Sequence, residues 1–254
     1  QLVECSGEKW DRLTVKKMIQ SEENLTTWKE DEYKDLYEIN MRSKGLQGTL
    51  PKDIGVAEEL RILDVRTNGG YWGGHFGGQI PESIGDLTNL THFMGEGNFW
   101  HGYIPISISN CPLEYLDLQG QYPEDAGGRR LTGTIPEEIF NMPNLKRLGL
   151  QRNKLSGEIP NTISNLADDS HDGLNYVELS HNRLSGNVPD GVCDVMENHS
   201  DSLPNNHPYF SNNNLCPPYP DCISESQISN QDTSDCPGMS VSMDNINLDR
   251  RRKR

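Results

Sequence analysis

Histidine and carboxylate side chains are the groups in this sequence that could perform acid–base or metal chemistry. Seven histidines are present, but none is paired at the H-x-x-x-H spacing or with a C-x-x-C motif, as zinc sites typically require. The acidic residues Asp168, Asp169 and Asp172 lack the spacing of an EF-hand calcium loop. The run GGYWGGHFGG at 69–78 does not lead from a strand into a helix, as a phosphate-binding loop does. We therefore predict a protein that is not an enzyme and that uses no metal and no cofactor.

Cysteine and asparagine side chains indicate a different chemistry, covalent modification in an oxidising compartment. Six cysteines are present, and four of them lie in the last quarter of the chain: Cys193, Cys216, Cys222 and Cys236. N-glycosylation sequons begin at Asn24, Asn89 and Asn198. Clustered cysteines together with sequons favour the secretory pathway. We predict a secreted, extracellular glycoprotein with disulfide bonds.

The composition excludes several kinds of partner. The net charge of -15 opposes binding to nucleic acid and to anionic membrane surfaces. No run approaches the roughly 20 apolar residues of a membrane span. Apolar residues make up only 33% of the chain, and turn-forming residues replace them. This composition is typical of many short strands joined by many turns.

An internal repeat is the strongest signal in the sequence. Residues 145–160 read LKRLGLQRNKLSGEIP and residues 174–189 read LNYVELSHNRLSGNVP, so both follow L-x-x-L-x-L-x-x-N-x-L-x-G-x-I-P. The same template fits four earlier segments, two of which need an insertion after the strand. The predicted coils begin at Leu36, Leu60, Leu90, Leu113, Leu145 and Leu174.

Each fixed position of the template has a physical reason. The leucines point inward and stack on the equivalent residue of the next coil, and the L-x-L stretch is a short strand that pairs in parallel with its neighbours. The asparagine lies inside the turn, where its amide satisfies backbone groups that would otherwise be buried without partners. Proline fixes φ and begins the outer, convex segment. Cys111 occupies an apolar position on that convex side, and we predict a buried free thiol.

These motifs resemble the plant-type leucine-rich repeat, which includes receptor-like-kinase ectodomains and polygalacturonase-inhibiting proteins. The resemblance covers about residues 36–222. It implies an α/β solenoid: a right-handed leucine-rich-repeat superhelix with a parallel sheet on its concave face and a second, shorter sheet along the L-x-G-x-I-P stretches.

A solenoid exposes apolar surface at both ends and therefore needs caps. Residues 1–35 are predicted to form an N-terminal cap with a short amphipathic helix from Trp10 to Glu22. Residues 36–192 form the repeats, 193–236 a C-terminal cap, and 237–254 a polar, basic tail that ends in RRRKR. That ending is either a solvated tail or the product of cleavage at a basic site.

The C-terminal cysteines resemble the cap of polygalacturonase inhibitors. From this resemblance we expect the pairs Cys193–Cys216 and Cys222–Cys236, while an alternative set pairs Cys193 with Cys222.

Two surfaces are candidates for partner binding. On the concave face, side chains between the leucines form columns across the coils, and the candidate contacts are Asp64, Arg66, His92, Tyr115, Asp117, Arg147 and Tyr176. The two insertions leave the coil at the same place and carry further candidates: Tyr71, Trp72, Arg129 and Arg130. Exposed aromatic and arginine side chains are common anchors of interfaces. The alternatives are a solvated sheet face and rings that fold back over the flank.

The surfaces favour contact over catalysis, and they leave three hypotheses. The first is a recognition module for a protein, a peptide or a glycan. The second is a structural subunit of an extracellular filament or matrix, which would self-assemble. The third, from the resemblance, is an inhibitor of a secreted glycosidase.

Overall fold

A computed structural model describes residues 37–68, 75–120, 130–167, 176–197 and 209–237. The predicted helix from Trp10 to Glu22, Cys5 and the basic tail lie outside these ranges, as do most residues of the two insertions. In the described part, the chain winds through successive coils, each with one strand on the concave face, one strand in the following turn and a helical turn on the convex side.

Six parallel strands form the concave sheet, in chain order and without crossovers. Each begins two residues after one of the predicted repeat starts. They are β1 (Glu38–Asn40), β3 (Ile62–Asp64), β5 (His92–Met94), β7 (Tyr115–Asp117), β9 (Arg147–Gly149) and β11 (Tyr176–Glu178). Residues at the same template position are direct partners across the sheet, as in the pairing of Phe93 with Leu116. The parallel concave sheet is therefore confirmed.

The second sheet runs along the turns, in two groups of parallel strands. The first group is β2 (Gln47–Thr49), β4 (His75–Gly78) and β6 (Phe99–Trp100). The second is β8 (Thr132–Gly133), β10 (Lys154–Gly157), β12 (Arg183–Asn187) and β13 (Asn214–Cys216). A bridge between Gly102 and Leu131 links the two groups.

The convex side consists of short 3₁₀ helices that follow the template proline. They are η1 (Ile54–Val56), η2 (Glu82–Asp86), η3 (Ile106–Asn110), η4 (Glu137–Asn141) and η5 (Asn161–Ala167). In each coil the proline carbonyl accepts a hydrogen bond from the amide three residues later, as from Ile84 to Pro81 at 3.0 Å. That third residue is buried in every coil, so one aliphatic side chain per coil closes the core from outside.

The core is one continuous column of aliphatic side chains with an aromatic cluster in its first half. Trp100 fills the template position of a leucine and meets Phe76 and Phe93 edge-on, with ring centroids 5.4 and 5.9 Å apart. Its indole Nε1 donates a hydrogen bond to the carbonyl oxygen of Gly95 at 2.6 Å. Cys111 is a buried free thiol, as predicted, and burial raises its pKa to about 12.

A ladder of side-chain amides holds the turns together. Asn182 shows the pattern: Nδ2 donates to the carbonyl oxygen of Leu179 in its own coil and to that of Leu150 in the preceding coil, both at 3.0 Å. Its Oδ1 accepts the amide of Leu155 at 3.1 Å. The same contacts to both coils recur at Asn68, Asn98, Asn153 and Asn213. Each amide thus joins two coils, which confirms the predicted role of this position.

The C-terminal cap continues the coil beyond the six predicted repeats. Phe210 is fully buried, and Asn213 extends the ladder. Gln231 then makes the equivalent contacts one turn later, because its Nε2 donates to the carbonyls of Phe210 and Ile228 and its Oε1 accepts the amide of Leu215. Two short helices, α1 (Val192–Glu197) and α2 (Glu225–Ile228), flank this region. The cap therefore imitates a seventh coil and part of an eighth.

The disulfide bonds are Cys193–Cys222 and Cys216–Cys236. The expected pairs Cys193–Cys216 and Cys222–Cys236 are wrong, and the alternative pairing of Cys193 with Cys222 is the one present. The physical reason is the extra turn of chain: the amide of Asp232 donates to the carbonyl of Asn213, so the segment before Cys236 runs beside β13, which ends at Cys216.

Replacing one member of the ladder should destabilise the whole array. We expect Asn182→Ala to lower the free energy of unfolding by about 2–4 kcal/mol, because it strands buried backbone groups in two coils. Chemical denaturation followed by circular dichroism measures the change. Asn161→Ala, at an exposed position, is the matched control and should shift stability by less than about 0.5 kcal/mol. Equal effects of the two variants would contradict the role given to the ladder.

Candidate partner-binding surface

The register of the concave sheet brings the predicted contact residues into straight columns. His92, Tyr115, Arg147 and Tyr176 are successive partners in one column. Asp64, Asp117 and Glu178 belong to the next column. We use the name concave patch for one set of residues from coils three to six: His92, Tyr115, Asp117, Arg147, Gln151 and Tyr176.

Ring and guanidinium planes are stacked along the concave patch. His92 lies over Tyr115 with ring centroids 4.5 Å apart and planes inclined by 12°. The guanidinium carbon of Arg147 lies 3.7 Å from the centroid of Tyr176. Such contacts hold the planar groups in fixed orientations, which reduces the entropy that a partner must overcome.

Asp117 is the buried acceptor that orients Arg147. Its carboxylate Oδ2 accepts hydrogen bonds from Arg147 Nε at 3.1 Å and Nη2 at 2.9 Å, and Asp117 is only 3% exposed. The next residue in that column is Gly149. A Cβ there would come within 2.7 Å of the Asp117 carboxylate, so glycine provides the space that the carboxylate occupies.

A second ion pair lies toward the start of the sheet. Arg66 donates to both carboxylate oxygens of Asp64, at 2.9 and 2.7 Å, in a bidentate geometry. The hydrogen bond to Asp64 is the main reason that the pKa of Arg66 is raised. Both predicted residues are thus engaged with each other within one coil.

Burial shifts the pKa values of neighbouring side chains. Desolvation raises the pKa values of the Glu96 and Glu178 carboxyls, and the negative charge of Asp117 raises that of Glu96 further. Burial lowers the pKa of His92, which favours its neutral ring. A cationic or hydrogen-bond-donating group on a partner would offset the cost of desolvating the Glu96 and Glu178 carboxylates.

Gln151 leaves one hydrogen-bonding group unused. Its Nε2 donates to Gln119 Oε1 at 2.8 Å and to the Tyr176 hydroxyl at 3.2 Å. Its Oε1 is buried and has no hydrogen-bond partner within the described residues. Buried acceptors are costly when unpaired, so this oxygen is a local cost of holding Gln119 and Tyr176 in place.

The remaining predicted residues lie elsewhere or outside the described ranges. Arg130 is only 7% exposed, and its Nη1 donates to the carbonyl oxygen of Arg152 at 2.6 Å. It therefore belongs to the turn of the fourth coil. Asn89 Nδ2 donates to the Glu58 carbonyl at 2.9 Å, and its glycosylation stays a prediction. Several predicted residues lie outside the described part: Tyr71, Trp72, Arg129, Asn24 and Asn198.

A basic group on the flank of the solenoid was not predicted from the sequence. Arg152, Lys154, His181 and Arg183 surround a cavity beside the asparagine ladder. The signal was present in the sequence, because these residues occupy the two variable positions on either side of the template asparagine.

Two other kinds of site are absent from the described ranges. No cluster of three or more histidine, cysteine or acidic side chains there is arranged to hold a metal ion. None of the helices there has the length and hydrophobicity to cross a membrane.

Sequence and structure comparisons place this solenoid among proteins of known kind. The Leucine Rich Repeat family profile matches residues 144–166 and 173–195. Receptor-like protein 39 of Arabidopsis thaliana is 30% identical over 137 residues, which cover 46% of this chain and 15% of that protein.

Two solved structures extend the similarity to most of the chain. The ectodomain of the Arabidopsis thaliana receptor kinase GASSHO1/SCHENGEN3, in complex with CASPARIAN STRIP INTEGRITY FACTOR 2, is 26% identical with a TM-score of 0.61. That match covers 77% of this chain and 21% of the receptor. The Arabidopsis receptor kinase HAESA, in complex with the peptide hormone IDA and the co-receptor SERK1, is 32% identical with a TM-score of 0.54. There the match covers 68% of this chain and 24% of HAESA.

The parallel sheets, the asparagine ladder and the family profile define a leucine-rich-repeat solenoid. The L-x-G-x-I-P stretches and these relatives specify the type further: the chain is a plant-type leucine-rich-repeat protein. It spans between about a seventh and a quarter of the length of the relatives described above.

Removing Arg147 from the concave patch should destabilise the fold, because its partner Asp117 is buried. We expect Arg147→Met to lower the free energy of unfolding by about 2 kcal/mol, because Asp117 stays buried without its counter-charge. The double variant Arg147→Met/Asp117→Asn should recover at least half of that loss in a double-mutant cycle. Denaturant titration at neutral pH gives the three values.

The neighbouring residue offers a matched control. Lys146 pairs with Glu114 at 2.9 Å, but both side chains are about one-third exposed. Lys146→Met should therefore cost less than about 0.5 kcal/mol. If Arg147→Met is no worse than this control, Asp117 does not depend on Arg147.

Proposed function

We propose that this chain is an extracellular recognition module that binds a protein or peptide partner on the concave patch. The observation that carries the proposal is the Asp117–Arg147–Tyr176 arrangement, in which a buried carboxylate fixes a guanidinium above an aromatic ring. Side chains held in this way offer directional contacts at a low entropic cost. Aromatic and arginine side chains also dominate the binding energy of many interfaces.

The acidic groups on the same face describe the partner that would fit. Glu96 and Glu178 are desolvated carboxyls. A partner that presents backbone amides or basic side chains would complement both. An extended peptide has such donors along its length, which favours a peptide or a protein loop over a neutral glycan.

The relatives support the same class of activity. HAESA was solved with a peptide hormone and a co-receptor, and GASSHO1/SCHENGEN3 with CASPARIAN STRIP INTEGRITY FACTOR 2. Two disulfide bonds in the cap support an extracellular location. Glycosylation at Asn24, Asn89 and Asn198, and contacts from Tyr71, Trp72 and Arg129 on the insertions, belong to this proposal as predictions.

Selection from a random-peptide display library against the full chain tests the proposal. Selected peptides should lose about tenfold or more in affinity for Tyr115→Ala, because it removes an aromatic surface at the centre of the patch. Tyr103→Ala is the matched control, since Tyr103 is 73% exposed and lies outside the concave sheet. Affinities measured by biolayer interferometry should be unchanged for this control.

The opposite result identifies a different contact surface. Peptides that bind Tyr115→Ala normally but not Tyr103→Ala would rule out the concave patch. Light scattering after size-exclusion chromatography adds a second readout: a polymer that forms equally well with Tyr115→Ala would favour a structural subunit.

A further inference from the structure

A cavity of about 310 Å³ opens on the flank of the solenoid, beside the turns of coils four to seven. Its walls carry five basic side chains: Arg130, Arg152, Lys154, His181 and Arg183. Three asparagines complete the lining: Asn153, Asn182 and Asn212. Among the lining residues that the structure describes, none is acidic. Such a concentration of positive charge is notable in a chain whose net charge is -15.

The repeat template does not account for this charge. The template requires the asparagine and the leucine two positions later, and it leaves the residues on either side of the asparagine variable. The first three coils have neither arginine nor lysine at those positions, which hold Ser43, Gly45, Thr67, His75, Gly97 and Phe99. In coils five and six both positions are basic, and in coil four Arg130 precedes the template leucine, so the charge is a local feature and not a requirement of the fold.

Backbone geometry directs these side chains to one side. Arg152, His181 and Asn212 occupy the same turn position in three successive coils, and their φ values are 60°, 55° and 56°. Similar positive φ values in stacked turns place the three residues in a column. Asn212 Nδ2 lies 3.3 Å from His181 Nε2, so neighbouring members of the column are in contact.

The back wall of the cavity is a fixed cation. Arg130 is buried, and its hydrogen bond to the carbonyl of Arg152 anchors the guanidinium. At the mouth, Lys154 is partly buried and Arg183 is exposed. The ladder amides of Asn153 and Asn182 donate to backbone carbonyls, so the ligand contacts proposed here are with the basic side chains.

We propose that this flank cavity binds an oxyanion, a carboxylate, phosphate or sulfate group, carried on a ligand about the size of a monosaccharide. Guanidinium and ammonium groups recognise oxyanions through charge-assisted hydrogen bonds, and arginine does so in a bidentate manner. The volume lies at the lower end of the range for small-molecule sites, roughly 300–1,000 Å³. The site lies on a different face from the concave patch and is independent of the function proposed there.

Calorimetric titration of the full chain at low salt with four matched sugars tests this site. Glucose is the neutral reference, and glucuronate, glucose 6-phosphate and glucose 6-sulfate add one oxyanion of each kind to the same ring. At least one anionic sugar should bind, glucose should not, and the order of the three identifies the preferred oxyanion. Affinity should fall with added salt, because the attraction is electrostatic.

Charge-matched variants locate the binding. Lys154→Gln/Arg183→Gln should weaken the preferred sugar by about tenfold or more, which corresponds to about 1.4 kcal/mol. Lys44→Gln/Lys52→Gln removes the same charge from exposed positions in the first coil and should bind like the unmodified chain. Arg130 is left intact because it supports the turn. Thermal midpoints of both variants show that the fold is retained.

Three results would overturn the proposal. The first is that glucose binds as strongly as the anionic sugars. The second is that both double variants lose the same affinity for the preferred sugar. The third is that no anionic sugar gives heat up to about 10 mM, a concentration well above typical site affinities. Tyr115→Ala should leave the flank cavity unaffected, so a failure here is distinguishable from a failure of the concave patch.

Discussion

Unpaired backbone groups inside the turns are the constraint on which this architecture depends. A coil that reverses direction within a few residues turns amides and carbonyls inward, where water cannot reach them. In five of the coils one asparagine satisfies groups of two successive coils, as Asn182 does for Leu150 and Leu179. The same asparagine hydrogen bonds therefore stabilise both the turn and the stacking of neighbouring coils. The aliphatic core can then be simple, because the register between coils is already set by the amides.

A fixed register is also what makes the concave face useful. Since equivalent residues pair directly, any side chain placed between the leucines meets its counterparts in the adjacent coils at a constant spacing. His92 stacks on Tyr115, and Arg147 reaches both Asp117 and Tyr176. Changes of residue between the leucines therefore alter a continuous surface across several coils, and they leave the core unchanged.

The sequence predicts some features of this molecule well because the template leaves them little freedom. Each concave strand follows its repeat leucine by two residues, and Asn153 and Asn182 make the contacts that their position implies. The disulfide pairing could not be predicted in this way. It depends on turns built from Phe210 and Gln231, which match the template poorly although they perform its functions. The columns of the concave face were predictable, but the lean of Asp117 into the space above Gly149 depends on three-dimensional packing.

The fourth coil shows how a scaffold requirement can produce a functional surface. Its turn has Gly120 at the position where coils five and six have Arg152 and His181, and the inward donor comes instead from Arg130 across the insertion. A Cβ on Gly120 would lie 1.8 Å from the Arg152 carbonyl oxygen and 2.2 Å from the Arg130 guanidinium, so glycine leaves the room that this hydrogen bond occupies. An amide would have satisfied the Arg152 carbonyl without adding charge. By using a guanidinium for that task, the fourth coil places a buried positive charge at the base of the flank cavity, where the basic residues of the next two coils extend it outward.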